Sequence, residues 1–330
     1  MVSNLRPNQQ RFITNESLQH QAVMPLLYFE VFSYPLTLEE IYQFGHHPTT
    51  TLGELKAALA EMVKAGLIFN YQEFYLSRNQ PEWVEQRRQN NERAKQALQR
   101  AKNMTQLIRR FPFVRGVALS GSLSKNVMPE DGDIDYFIIT QPGRLWVART
   151  LLVLFKKVFL LNSKKYFCVN YFVDEDHLKI EEQNRFTATE MATLLPVYNT
   201  PLYHHFFAVN KWVKAYFPRS VRRSFEKGAL EKNSRLRGLF EKVLNGKIGD
   251  QLDTFFMKRT IQYWNSKFKT LDPNNFSVAL KSRRYVSKHH PQDFQNRVMK
   301  AYEQRIQEFE QKHQLDLDRS GVWQVKINAQ

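Results

Sequence analysis

The stretch from Val114 to Thr140, V-R-G-V-A-L-S-G-S-L-S-K-N-V-M-P-E-D-G-D-I-D-Y-F-I-I-T, constrains this chain more than any other. It reads as an apolar strand, a Gly-Ser turn, a loop and a second strand. The second strand opens on Asp133 and Asp135. Side chains two residues apart in a strand project from one face, so these carboxylates stand together. Like charges side by side repel, and Asp is a poor strand former. The apolar run Tyr136-Phe137-Ile138-Ile139 then places the pair at the mouth of a buried sheet. A hard divalent cation, Mg2+ or Mn2+, is the expected neutraliser, because it takes oxygen ligands and keeps positions open for substrate phosphates. A calcium loop would need further oxygen ligands and a late Glu, and here an apolar strand follows instead.

Gly121 and Ser122 close the first strand. Glycine permits a tight turn with close backbone approach, and successive N–H groups can cradle phosphate oxygens. Ser124 and Lys125 add a hydroxyl and a positive charge just beyond the turn.

An apolar strand, Gly121-Ser122, ten intervening residues and Asp133-x-Asp135 in a second apolar strand together resemble the signature of the DNA polymerase beta-like nucleotidyltransferase superfamily. That superfamily includes aminoglycoside nucleotidyltransferases, tRNA CCA-adding enzymes, poly(A) polymerases and the minimal nucleotidyltransferases of toxin–antitoxin pairs. The match is specific from Val117 to Ile139 and weak elsewhere. It implies an α+β fold with a mixed β-sheet flanked by helices, and an NTP, such as ATP, as substrate. It implies two Mg2+ ions held by Asp133 and Asp135, phosphate contacts from Gly121, Ser122, Ser124 and Lys125, and transfer of a nucleoside monophosphate to an acceptor. One position departs from the pattern. The superfamily usually carries a third carboxylate on the next strand, here Tyr166 to Val173, and Asn170 stands in its middle. An amide can coordinate through its oxygen but cannot act as a base. Three readings follow: the two aspartates suffice, Asp174 is the third ligand, or the site binds nucleotide without turnover.

A formal net charge of +16 favours polyanionic partners, whether nucleotides, nucleic acid or an anionic membrane surface. The single cysteine, Cys168, excludes a disulfide within the chain and fits a reducing cytosol. The N-terminus lacks the apolar core of a signal peptide. The most apolar run, Leu145 to Leu161, is interrupted by Arg149, Lys156 and Lys157, so no membrane span is expected and a cytoplasmic location is.

The 330 residues suggest two or three domains. Residues 1–80 read as a winged-helix-like domain: a buried helix to Tyr34-Pro35, two helices opened by the capping boxes Thr37/Glu40 and Thr51/Glu54, and a short hairpin. Its third helix sets Lys56 and Lys64 against Glu54 and Glu61, which favours protein contact over DNA binding. Residues 81–112 read as a solvated, Arg-rich linker helix, 113–180 as the nucleotidyltransferase core, and 181–330 as a helical C-terminal domain closing over the cleft. A third capping box is expected at Thr187/Glu190. Arg149 either approaches a phosphate or pairs with a carboxylate. The basic runs Arg219 to Lys247 and Lys281 to His290 suit a polyanion or an acceptor. The acceptor itself, a small molecule, RNA or protein, is not specified. The alternative reading is a non-catalytic nucleotide- or nucleic-acid-binding regulatory protein on the same fold, such as a toxin–antitoxin component.

Overall fold

The computed structural model describes residues 22–46, 50–163, 165–221, 235–269, 271–290 and 293–317. Helix α1 (residues 22–30), strand β1 (Leu36–Thr37), helices α2 (Leu38–Phe44) and α3 (Leu52–Lys64), and the hairpin β2 (Phe69–Tyr71) and β3 (Phe74–Leu76) open the chain. The three strands form an antiparallel sheet in the order β1-β3-β2. Both expected capping boxes form, with Thr37 and Thr51 each exchanging bonds with the Glu three residues on.

Helix α4 (Glu82–Ile108) follows. It was expected as a solvated linker, but one face is buried. Ala94, Ala97, Ala101, Thr105 and Ile108 recur at helical spacing and are almost fully enclosed. Alanine allows close approach to the sheet while giving little apolar signal in the sequence. Arg87 is buried as well, bonded to both oxygens of Glu40 and to the Pro35 carbonyl.

The chain continues through β4 (Val114–Ser120), α5 (Gly121–Ser124), β5 (Asp135–Thr140), α6 (Leu145–Phe159), β6 (Cys168–Asp174), α7 (Arg185–Thr193) and β7 (Leu195–Tyr198). Helices α8 (Thr200–Val209), α9 (Val213–Tyr216), α10 (Arg235–Leu244), α11 (Lys247–Lys267) and α12 (Pro273–Ala279) come next. Strands β8 (Ser282–Arg283) and β9 (Val286–Lys288) and helix α13 (Phe294–His313) complete the described chain. The main sheet is six-stranded and mixed, in the order β7-β4-β5-β6-β9-β8, with only β5 and β6 parallel. Residues 181–330, expected to be helical, therefore also supply three strands, and the basic run Lys281–His290 is an edge hairpin of the sheet.

Strand alternation divides the core. Val117, Leu119, Tyr136, Ile138 and Phe172 face α4 and α6. Ala118, Phe137, Ile139 and Val173 face the other way, into a cluster with Phe29, Phe206 and Tyr302. That second cluster runs from α1 to α13, so helices before and after the sheet share one core. In the basic run Arg219–Lys247, Arg222 and Arg223 lie outside the described residues. Arg237 is buried and structural, donating to the Arg109 and Val114 carbonyls and pairing with Glu241. Among the described residues no helix is long and apolar enough to cross a membrane.

Candidate active site

Strands β4 and β5 run antiparallel with Ser120 opposite Asp135. The turn that ends one strand thus lies against the start of the other. Gly121 has φ +65°, and a β-carbon there would overlap Asp135 Oδ2. The position needs glycine twice over, for the left-handed backbone and for the contact.

Asp133, Asp135, Gly121, Ser122, Lys125 and Asn170 all line one cavity of about 570 Å3. The cavity lies between the sheet and residues of α1, α7 and α13. Asn170 reaches it through a bulge. Tyr136 is opposite Val169 and Phe137 opposite Tyr171, so Asn170 is the extra residue of β6, and a bulge re-aims a side chain. Its Nδ2 donates to Asp135 Oδ1 at 3.0 Å.

Burial is the main force raising the Asp135 carboxyl, to about 7, and the charges of Asp133 and Glu190 push the same way. A hydrogen bond from the Cys168 thiol and the nearby Lys125 charge oppose the rise. Cys168 is pushed up to about 12 by burial and by the two aspartates, so it is an inert, protonated donor here.

Two expected ligands stand elsewhere. Asp174 pairs with Thr140 at the far end of β5 from Asp135, about 17 Å along the strand. It is held there by His177 Nδ1 at 2.7 Å and by the backbone N–H groups of Asp176 and His177. It is not the third ligand. Ser124 is fully buried, donating to the Gly121 carbonyl at 2.8 Å; it braces the turn from behind and does not line the cavity. Arg149 also misses the site. It is buried against the rings of Trp146 and Trp264.

Several lining residues escaped the sequence reading. Glu190 was expected to cap a helix, but Asn184 caps α7, accepting from Thr187 N at 2.9 Å. Glu190, one turn further on, points into the site. Its Oε1 lies 2.7 Å from Lys125 Nζ and its Oε2 accepts the Gly121 N–H at 3.3 Å. Lys288, His289 and His290 enter from β9 and the residues after it, and Phe32, Phe186 and Phe294 stand at the helical side. Only the basic character of Lys281–His290 pointed to any of these.

As a donor set, the two carboxylates fit a hard divalent cation, and the Asn170 amide stands beside them with its Nδ2 on Asp135. The charge conflict at Asp135 is what such a cation removes. Among the described residues no group of three or more His, Cys, Asp or Glu converges as a metal site. Compared with known proteins, the chain matches no family model, and no curated protein or solved structure is significantly similar to it.

Proposed function

We propose that this protein transfers a nucleoside monophosphate from an NTP to an acceptor, with loss of pyrophosphate. The observation that carries this reading is the direct contact between the Gly121 turn and Asp135. A triphosphate held at that turn lies beside the carboxylate pair, where its α-phosphorus is reached from the open cavity. Ser122 offers its hydroxyl and Lys125 its ammonium to the phosphates. Asp133 and Asp135 would hold Mg2+, which when bound supplies charge neutralisation at the phosphates. Phe137, Tyr171 and Phe206 give the cavity an apolar wall, and a low-dielectric wall strengthens electrostatic interactions beside it. Positioning and charge are the main sources of rate in phosphoryl transfer.

A second reading, nucleotide binding without turnover, is favoured by one observation. Glu190 already occupies Lys125 and the Gly121 N–H, and the strand position expected to hold a third carboxylate is an amide. Pyrophosphate release separates the two. Purified protein with ATP, Mg2+ and a pool of cell metabolites releases pyrophosphate under the first reading, and Asp133→Asn abolishes that release. Saturable ATP binding with no release by the native protein supports the second.

A further inference from the structure

Asn170 and Lys288 occupy neighbouring strands on the wall of the cavity. Tyr171 pairs with Lys288, and the His289 N–H donates to the Asn170 carbonyl at 2.9 Å. In the order β4-β5-β6-β9, Lys288 lies on the far side of Asp135 from the Gly121 turn. It is therefore on the acceptor side, away from the triphosphate. Its exposure is 7%, and its ammonium contacts Gln295 Oε1 at 3.2 Å. Among the described residues no carboxylate stands within ion-pair distance of it. Glu182 and Asp293 favour its charge from beyond that distance, but burial outweighs them and lowers its pKa; an anion bound directly to the ammonium would offset that cost.

The carboxylates on this side of the cavity are already engaged: Glu182 pairs with Lys281 at 3.0 Å, and Asp293 accepts from Asn296 Nδ2. Asn170 cannot take a proton. Glu190 is tied to Lys125 and Gly121. Burial and the Lys288 charge hold His290 at about 4, too weak to deprotonate a hydroxyl at neutral pH, and His289 packs its ring on Trp264 and Phe268. Phe32, Phe186 and Phe294 form an aromatic collar with centroid separations of 6.4 and 5.9 Å around Phe294. Phe32 and Phe294 keep 39% and 43% exposure, as rings at an entrance do.

We propose that the acceptor is an amphiphile whose nucleophile arrives as an oxyanion, a carboxylate or a phosphate monoester on an apolar body, seated between Lys288 and Asn170. For the reaction this rests on nucleotidyl transfer; for the binding it does not. The oxyanion forms a bond to the α-phosphorus, the bond from that phosphorus to the bridging oxygen breaks, and pyrophosphate leaves with the electron pair. No proton moves, so no base is needed.

The binding arm uses the full-length protein without nucleotide or metal. Calorimetry with 3-phenylpropionate, octanoate and 3-phenylpropyl phosphate should give saturable binding at one site. Lys288→Met should weaken all three by about tenfold or more, while 3-phenylpropan-1-ol binds native protein and variant alike, which also shows that the variant is folded. Equal anion affinity in Lys288→Met, or no saturable anion binding by the native protein, overturns the proposal. The turnover arm adds ATP and Mg2+ and reads the adenylylated product by mass spectrometry. An adduct with the carboxylates identifies that source of the oxyanion, and one with the phosphate identifies the other. An adduct with the alcohol alone overturns the proposal. Charge-dependent binding with no adduct sinks nucleotidyl transfer and leaves the anion seat standing.

Discussion

Glu190 Oε1 lies 2.7 Å from Lys125 Nζ, so a carboxylate of the protein holds one of the donors proposed for the triphosphate. Its other oxygen takes another, the Gly121 N–H. Phosphate and Glu190 compete for one seat. Glu190→Gln keeps the shape and removes the charge, so affinity for a non-hydrolysable ATP analogue should rise about tenfold, on the order of 1.4 kcal/mol. Calorimetry reads this directly. An unchanged affinity would take Lys125 out of phosphate binding.

Gly121 tests the contact on which the proposed chemistry depends. Alanine there must adopt φ +65° and push against Asp135 Oδ2. The strained backbone alone costs about 1–3 kcal/mol. Gly121→Ala should lower stability by at least about 2 kcal/mol in urea unfolding and abolish ATP binding. A variant that unfolds like the native protein and still binds ATP would show that the turn can move away from Asp135, and the proposed seat would be lost.

Asp133 and Asp135 should separate activity from stability. Neutralising either removes a group that stabilises the reacting phosphates, a loss of about 10²- to 10³-fold in turnover. The ionised form of Asp135 is opposed by burial and by Asp133. In chelator, Asp135→Asn should therefore melt higher than the native protein, though it is inactive. Asp133→Asn should relieve Asp135 of its neighbour's charge and gain less. A lower melting temperature for Asp135→Asn would mean that its hydrogen bonds outweigh its desolvation.

The acidic pair and the Gly-Ser turn were legible because they are close in sequence, though not quite as strand alternation has it: β5 opens on Asp135, Asp133 stands in the loop just before it, and both line the cavity with Gly121. Asn170 was legible as a residue but not as a contact, since its direction depends on a bulge between Val169 and Tyr171 that no local pattern announces. Glu190 was misread for an understandable reason. Thr187-x-x-Glu190 fits the capping-box pattern, and Asn184, three residues earlier, won the cap. The buried face of α4 was invisible because alanines carry it. Lys288 lies in a strand of three residues whose partner, β6, is more than a hundred residues away; pairing at that range leaves no periodicity to read.

Asp253 predicts an acid-side stability trend that has nothing to do with the active site. Helix α6 has no side-chain cap of its own. Asp253, from α11, supplies one: its Oδ1 accepts the N–H groups of Trp146 and Val147 at 2.8 and 3.0 Å. Burial outweighs those bonds and raises the carboxyl from 3.8 to about 6. Between those values the folded protein binds a proton that the unfolded chain does not. This group's contribution is thus greatest at low pH and is lost as pH rises through 6, at up to about 1.4 kcal/mol per unit. His290 works in the opposite direction. Burial and Lys288 lower it from 6.5 to about 4, so its contribution is lost as pH falls through that window. Asp135, raised to about 7, adds to the Asp253 trend, so the native protein should lose stability as pH rises from 4 to 6. Substitution should separate the contributions. His290→Gln should steepen that loss, and Asp253→Asn should make it shallower. Urea unfolding at pH 4.5, 5.5 and 7 measures both slopes. Asp253→Ala, which removes the cap outright, should cost about 1–2 kcal/mol at pH 5, where the carboxyl is still mostly protonated. Parallel slopes in the two single variants would mean that neither group titrates differently in the fold.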